Sequence, residues 1–137
     1  MTLTLIKVAR HRLGATESTT TPRGIEVVYS SRVRSLLDAV YDWSRFNTLP
    51  RGYDWIRTEL AGESSMARQL VTVTLRYGNQ GAIRRIGRLL ESEAVAESSL
   101  RKLEKALRPS TALIPWIPTR PKRGKTDRRW GVVHNDG

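Results

Sequence analysis

The central part of the chain, from residue 32 to residue 107, carries apolar side chains at helical spacing. Within each stretch they recur three or four positions apart, as the buried face of an amphipathic helix requires. Serine, glycine and proline separate the stretches, and these residues commonly begin or end helices. The pattern predicts five helices, over 32–43, Tyr53–Leu60, 64–77, the stretch from Gly78-Asn79 to Glu93, and Ser98–Leu107.

One of these helices, over 64–77, is apolar on two sides. Its apolar residues are Met66, Leu70, Val73 and Tyr77 on one side and Val71 and Leu75 on the other. A helix with apolar residues on opposite sides needs partners on both. We therefore expect this helix to lie in the middle of the helical part.

Strand patterns flank the helical region on both sides. Residues 2–10 alternate between apolar and polar, and 24–29 forms a second extended pattern, which together predict a hairpin joined by a loop over 14–24. Residues 112–115 and 130–134 predict two more strands. The order indicates a single α+β domain over residues 1–137, with an N-terminal β-hairpin and about five helices. The two C-terminal strands are expected to return to the hairpin and complete a small, mainly antiparallel sheet.

The charge balance of the chain points to an anionic partner. The formal net charge is +11, from 24 basic and 13 acidic residues. Such an excess favours nucleic acid, because a compact basic protein otherwise only repels itself. No segment reaches the ~20 apolar residues of a membrane helix, and the first ten residues lack the apolar run of a signal peptide. With no cysteine, disulfides and cysteine zinc sites are excluded, and we expect a cytoplasmic protein.

The helix after Gly78-Asn79 separates apolar from basic residues. A helical projection puts Ile83, Ile86, Gly87 and Leu90 on one arc and Arg84, Arg85 and Arg88 on another. The arginines predict a face that contacts phosphates; a solvated face with surface ion pairs to Glu91 or Glu93 is the alternative. Gly87 costs about 1 kcal/mol in mid-helix relative to alanine. It therefore predicts a close approach by a neighbouring element.

A basic loop, residues 120–129, leads into the strand-like segment that begins at Trp130. Its cations are Arg120, Lys122, Arg123, Lys125, Arg128 and Arg129. Because a strand follows the cations, we expect the loop to be held at both ends, with Trp130 in the core. A held basic loop predicts nucleic-acid binding; a mobile surface loop that serves only solubility is the alternative.

Patterns of catalytic or metal-binding residues are weak. His11 and His134 are the only histidines and lie near opposite ends of the chain, so they are poor evidence for a metal site. Gly124-Lys125-Thr126 lacks the earlier glycine of a phosphate-binding loop, because Thr119 stands there. Gly62-Glu-Ser-Ser-Met does not fit the nucleophile elbow. We expect no enzyme activity, no metal and no cofactor.

Three segments together resemble the C-terminal domain of AbiEi-type antitoxins, which belong to the AbiE type IV toxin–antitoxin systems. They are Ser30–Ala39 (SSRVRSLLDA), Gly78-Asn79 followed by Arg85–Glu91 (RIGRLLE), and Asp127–Asn135 (DRRWGVVHN). The resemblance extends from about residue 24 to residue 136. In this chain the matching positions include Arg34, Asp38, Gly87, Trp130 and Asn135. We expect Arg34 with Asp38 to form an ion pair that anchors a helix, and Trp130 to be architectural.

The resemblance implies an antitoxin that neutralises a nucleotidyltransferase-fold toxin and contributes to DNA binding and operon autoregulation. Members of the family usually carry a winged helix-turn-helix domain before this region, and the present sequence contains nothing similar to it. Operator-specific binding is therefore expected only from such a domain, whereas charge-driven binding can come from the present one. The alternative is a stand-alone protein that binds DNA or RNA and has no toxin partner.

Overall fold

A computed structural model describes residues 16–20, 24 and 26–136 of the chain. Two strands, six helices and three more strands follow one another in these residues, which confirms the predicted mixture of helices and strands. The elements are β1 (Thr16–Thr20), β2 (Glu26–Ser30), α1 (Arg32–Tyr41), α2 (Trp43–Phe46), α3 (Arg51–Gly62), α4 (Met66–Tyr77), α5 (Gln80–Ser92), α6 (Glu97–Lys105), β3 (Ile114–Pro115), β4 (Lys125–Asp127) and β5 (Val132–His134).

The first two strands form an antiparallel pair. Their register runs from Thr16 opposite Ser30 to Thr20 opposite Glu26. β1 lies inside the stretch 14–24 for which the sequence predicts a loop, so that prediction is wrong for these five residues. Three of the five are threonine, whose β-branched side chain favours extended backbone. The strand predicted over residues 2–10 lies outside the described residues.

Two helices begin at a capping side chain. The side chain of Ser31 accepts a hydrogen bond from the backbone N–H of Arg34 at the start of α1. That of Asn79 accepts one from Ala82, at 2.8 Å, at the start of α5. Both bonds satisfy a backbone donor that the first helical turn leaves open. The stretch predicted as one helix over 32–43 ends at Tyr41, and a separate short helix, α2, follows.

α4 packs against α1, α3, α5 and α6, as expected of a helix in the middle of the helical part, but α5 is the more buried of the two helices. Eight of the thirteen residues of α5 are buried, including two arginines, whereas α4 leaves Leu75 41% exposed. α5 packs against α1, α4 and α6 and also against β5. Apolar periodicity underestimates the burial of α5, because hydrogen bonds to backbone carbonyls allow its arginines to enter the interior.

The C-terminal strands form a sheet of their own, in the order β3-β5-β4. β3 is parallel to β5, and β4 is antiparallel to it. Among the described strands, β3, β4 and β5 do not pair with β1 or β2. The expected sheet also includes the strand predicted over residues 2–10, which lies outside the described residues, so that part of the expectation stays a prediction. β4 lies within the basic loop, where Lys125-Thr-Asp gives no apolar alternation to predict a strand.

The core joins the helices to the C-terminal sheet through two tryptophans. Trp116 and Trp130 are both at most 2% exposed. Trp116 stacks on Tyr53 of α3, with ring centroids 3.7 Å apart, and its carbonyl accepts a hydrogen bond from the Tyr53 hydroxyl at 2.7 Å. Burial raises the pKa of the Tyr53 hydroxyl well above its ordinary value. None of the helices in the described ranges has both the length and the apolar content needed to cross a membrane.

Candidate nucleic-acid interface

The basic loop presents five exposed cations, Arg120, Lys122, Arg123, Lys125 and Arg128. Among the described residues, no carboxylate lies within ion-pair distance of any of them. Lys122 donates to the carbonyl of Leu113 at 3.2 Å, which holds its side chain beside the segment before β3. The charge of the loop is therefore available to an anionic partner.

Asn135 holds the start of the basic loop. Its side-chain Nδ2 donates to the carbonyls of Ile117, Arg120 and Pro121 at 2.8, 3.3 and 3.1 Å. Its Oδ1 accepts from the backbone N–H of Ile117 at 2.7 Å. One buried amide side chain thus fixes the backbone on both sides of Pro118 relative to the end of β5.

Trp130 holds the end of the loop. Its backbone N–H donates to Asp127 Oδ1 at 3.2 Å, and its indole N–H donates to the Glu91 carboxylate of α5. The indole ring lies directly against Gly87, where an added Cβ would be 2.6 Å from the ring atom Cη2. Glycine at this position lets the ring reach the backbone of the helix.

Gly124 allows a second close approach, inside the loop. Its φ is +146°, and a Cβ there would overlap the carbonyl oxygen of His134. The chain therefore needs glycine where it turns into β4 beside β5. With Asn135 and Trp130 at the two ends and the β4–β5 pairing between them, the loop is a fixed part of the fold.

Arg129 differs from the other cations of the loop because three glutamates surround it. Its guanidinium lies 2.5 Å from Glu97, 2.9 Å from Glu104 and 3.5 Å from Glu91. The hydrogen bond to Glu97 raises the pKa of Arg129 above its ordinary value and lowers the pKa of Glu97 below its own. The charge of Arg129 is already balanced, and the residue joins α5 and α6 to the turn before β5.

The sequence predicts Arg84 and Arg85 on an open face, but the structure buries both beneath the C-terminal segment. Arg84 donates to the carbonyl of Ala112 at 2.9 Å, and Arg85 donates to that of Pro115 at 3.0 and 3.2 Å. Arg85 also lies over the ring of Trp43, and burial lowers its pKa. An open arginine face is the wrong description of this helix, because the backbone of residues 112–115 covers Arg84 and Arg85.

Arg88 is half-buried on the same helix. Its guanidinium lies over the ring of Trp116, 4.7 Å from the centroid. Its Nε donates to Nε2 of His134 at 3.3 Å, and its Nη2 lies 2.6 Å from Nδ1 of the same ring. Arg88 thus connects α5 to β5 and to the stacked pair of Trp116 and Tyr53.

Arg34 and Asp38 form an ion pair at one helical turn. The distance from Arg34 Nε to Asp38 Oδ1 is 3.1 Å, and Arg34 is only 4% exposed. The Arg34 guanidinium also lies 4.2 Å from the ring centroid of Tyr77 in α4. The pair therefore anchors α1 against α4, on the helical side of the molecule.

The structure describes one of the two histidines that the sequence analysis considers for a metal site. His11 lies outside the described residues, and His134 contacts Arg88. Within the described part of the chain, no group of three or more histidine, aspartate or glutamate side chains could hold a metal ion.

Two groups of residues around the loop are not predicted from the sequence. Trp116 follows a proline in a short apolar segment that gives no periodic signal. Glu97 and Glu104 stand seven positions apart, a spacing that places both carboxylates on one face of α6, and this signal could have been used. What the spacing cannot show is that Arg129 lies opposite that face.

Comparison with known proteins identifies no relative. No family model matches the chain, and neither the curated proteins nor the solved structures contain a match to it.

Proposed function

We propose that the protein binds nucleic acid through the basic loop, as the cytoplasmic antitoxin and regulator component of a type IV toxin–antitoxin system. The observation that carries nucleic-acid binding is the set of five exposed cations on a loop fixed at both ends. The antitoxin role rests on the resemblance of three segments to AbiEi-type antitoxins. Its partner is a nucleotidyltransferase-fold toxin.

The loop supplies phosphate contacts. Arg120, Lys122, Arg123, Lys125 and Arg128 can donate charged hydrogen bonds to phosphate oxygens. Because these bonds carry no sequence information, the domain binds DNA of many sequences with similar affinity. A loop fixed by Asn135 and Trp130 loses little conformational entropy on binding, whereas a mobile tail would lose more.

Salt dependence tests the proposal. Arg120→Gln, Lys122→Gln and Arg123→Gln together remove three contacts, each of which adds about 0.9 to the slope of log K against log salt on duplex DNA. We expect the slope to fall by about 2 to 3 when fluorescence anisotropy follows binding of a labelled duplex.

The matched control is Arg45→Gln, Arg68→Gln and Arg76→Gln. These three arginines are exposed on α2 and α4, and their loss lowers the net charge by the same amount. The control should keep the slope of the unaltered protein. Equal slopes for the two triple variants mean that net charge alone drives binding, and the basic loop is then not the interface.

Co-expression with a nucleotidyltransferase-like gene from the same locus tests the antitoxin role. Restored growth supports it. Continued growth arrest favours the second candidate function, a stand-alone protein that binds DNA or RNA, since the same exposed cations serve that role without a toxin.

A further inference from the structure

A cleft of about 240 Å³ opens where α5 begins and the chain leaves α6. Its lining contains two arginines and no acidic residue: Gln80, Gly81, Arg84, Arg108, Ser110 and Ile114. At this volume it lies below the usual range of sites for drug-sized ligands, about 300 to 1,000 Å³. A single small group fits it better than a whole nucleotide.

Arg84 brings an uncompensated charge to the cleft. The residue is about nine-tenths buried, and of its five N–H donors only one, on Nη1, has a protein partner, the carbonyl of Ala112. Among the described residues no carboxylate lies within ion-pair distance of it. The Arg84 nitrogens that lack a protein partner are not fully enclosed, so their N–H groups can donate to an anion in the cleft.

The other polar side chains of the cleft either hold its walls together or keep a hydrogen to donate. The side chain of Gln80 accepts from the backbone N–H of Arg108 at 2.9 Å and donates to the carbonyl of Ala106 at 3.0 Å, which fixes the turn after α6 against α5. Ser110 Oγ accepts from the N–H of Ala112 and keeps its own hydrogen to donate. The first turn of α5 adds the positive end of a thirteen-residue helix.

We infer that this cleft binds one phosphate group, held between Arg84, Arg108 and the hydroxyl of Ser110. Two neighbouring carbonyls connect it to the basic loop, since Arg84 donates to Ala112 and Lys122 donates to Leu113. One source of this phosphate rests on the proposed function: it is then part of the backbone of the bound nucleic acid. The other source is a free phosphate ion, which has the same chemistry.

Titration with inorganic phosphate tests the cleft without nucleic acid. Amide resonances of Gly81, Ser110 and Ala112 should shift in a saturable way, at constant ionic strength maintained with chloride. Arg108→Gln and Ser110→Ala should each weaken phosphate binding, the first by about tenfold, because a charged hydrogen bond is lost. Both positions are exposed, so the variants are expected to fold.

Arg76→Gln is the matched control, an exposed arginine of α4 outside this cleft, and should bind phosphate as the unaltered protein does. Shifts that do not saturate, or equal weakening by Arg108→Gln and Arg76→Gln, overturn the inference.

Binding to duplex DNA then distinguishes the two sources of the phosphate. If Arg108→Gln lowers the slope of log K against log salt for duplex DNA by about one, the cleft binds a phosphate of the nucleic-acid backbone. If the slope is unchanged and inorganic phosphate binds tenfold more weakly, the cleft binds a free phosphate. If the loop variants leave DNA binding intact, the proposed function fails while the phosphate titration still decides the cleft.

Discussion

At the scale of single residues, neighbouring arginines of this chain have different roles. Arg128 is exposed without an ion pair among the described residues, whereas Arg129 contacts three glutamates. Arg84 and Arg88 lie one turn apart on α5, but one lines a cleft and the other stacks on Trp116. Since arginine has a long stem and five donors, its role depends on which backbone or ring it reaches.

Gly87 is the residue at which a single methyl group has the clearest predicted effect. Gly87→Ala gains about 1 kcal/mol of helix propensity, but the added Cβ overlaps the Trp130 ring, and overpacking typically costs about 1 to 3 kcal/mol. Trp130 cannot move without losing its bond to Glu91. We expect a net decrease in the free energy of unfolding, measured by urea denaturation.

Gly62→Ala provides the comparison for that substitution. Gly62 closes α3, and an added Cβ there meets nothing within 4 Å. The free energy of unfolding should stay the same or rise slightly. If Gly87→Ala also leaves stability unchanged or raised, the close packing of Trp130 on α5 is not what the glycine provides.

At the scale of elements, the sequence best predicts features that depend on residues close together in the chain. The starts of α1 and α5 could be predicted because Ser31 and Asn79 cap them within three residues. The parallel pairing of β3 with β5 could not, since two residues of each strand carry it across an intervening loop. The cleft could not be predicted either, because Arg84 and Arg108 come close to each other only when α6 lies beside α5.

The contact between the basic loop and α6 depends on pH. The hydrogen bond from Arg129 lowers the pKa of Glu97 below its ordinary 4.5, so the ionised carboxylate stabilises the fold. That stabilisation is complete above about pH 4.5 and is lost as pH falls through the lower pKa of the folded state. Arg129 stays protonated throughout, so Glu97→Gln should show a smaller drop in Tm between pH 6 and pH 3.

Glu63→Gln is the control for this pH dependence. Glu63 accepts hydrogen bonds from Ser65 and Gln69, and no cation of the described residues lies within ion-pair distance of it. Its substitution should leave the acid-induced drop in Tm close to that of the unaltered protein. A drop of the same size in Glu97→Gln would contradict a role for the Arg129 contact in acid stability.

At the scale of the whole molecule, charge is unevenly distributed over the described residues. Three glutamates surround Arg129, whereas the five exposed cations of the basic loop and the cleft by Arg84 have no acidic partner among the described residues. The excess of 24 basic over 13 acidic residues therefore appears as local regions of positive potential. Such regions attract polyanions over distances of about a Debye length, ~10 Å at 0.1 M salt.

This distribution predicts that sodium chloride stabilises the folded protein. Salt screens the ion pairs, but exposed pairs contribute only about 0 to 1 kcal/mol each, whereas repulsion acts among all the cations of a protein with a net charge of +11. We expect Tm to rise between 20 and 300 mM chloride, by roughly 4 °C for each 1 kcal/mol gained. The variant with Arg120→Gln, Lys122→Gln and Arg123→Gln, measured by calorimetry under the same conditions, should show a smaller rise, because it has lost three charges from the densest part of the surface. A fall in Tm with salt would mean that the ion pairs contribute more to stability than the repulsion among cations takes away. A bound polyanion would then not stabilise the fold by relieving repulsion in the basic loop.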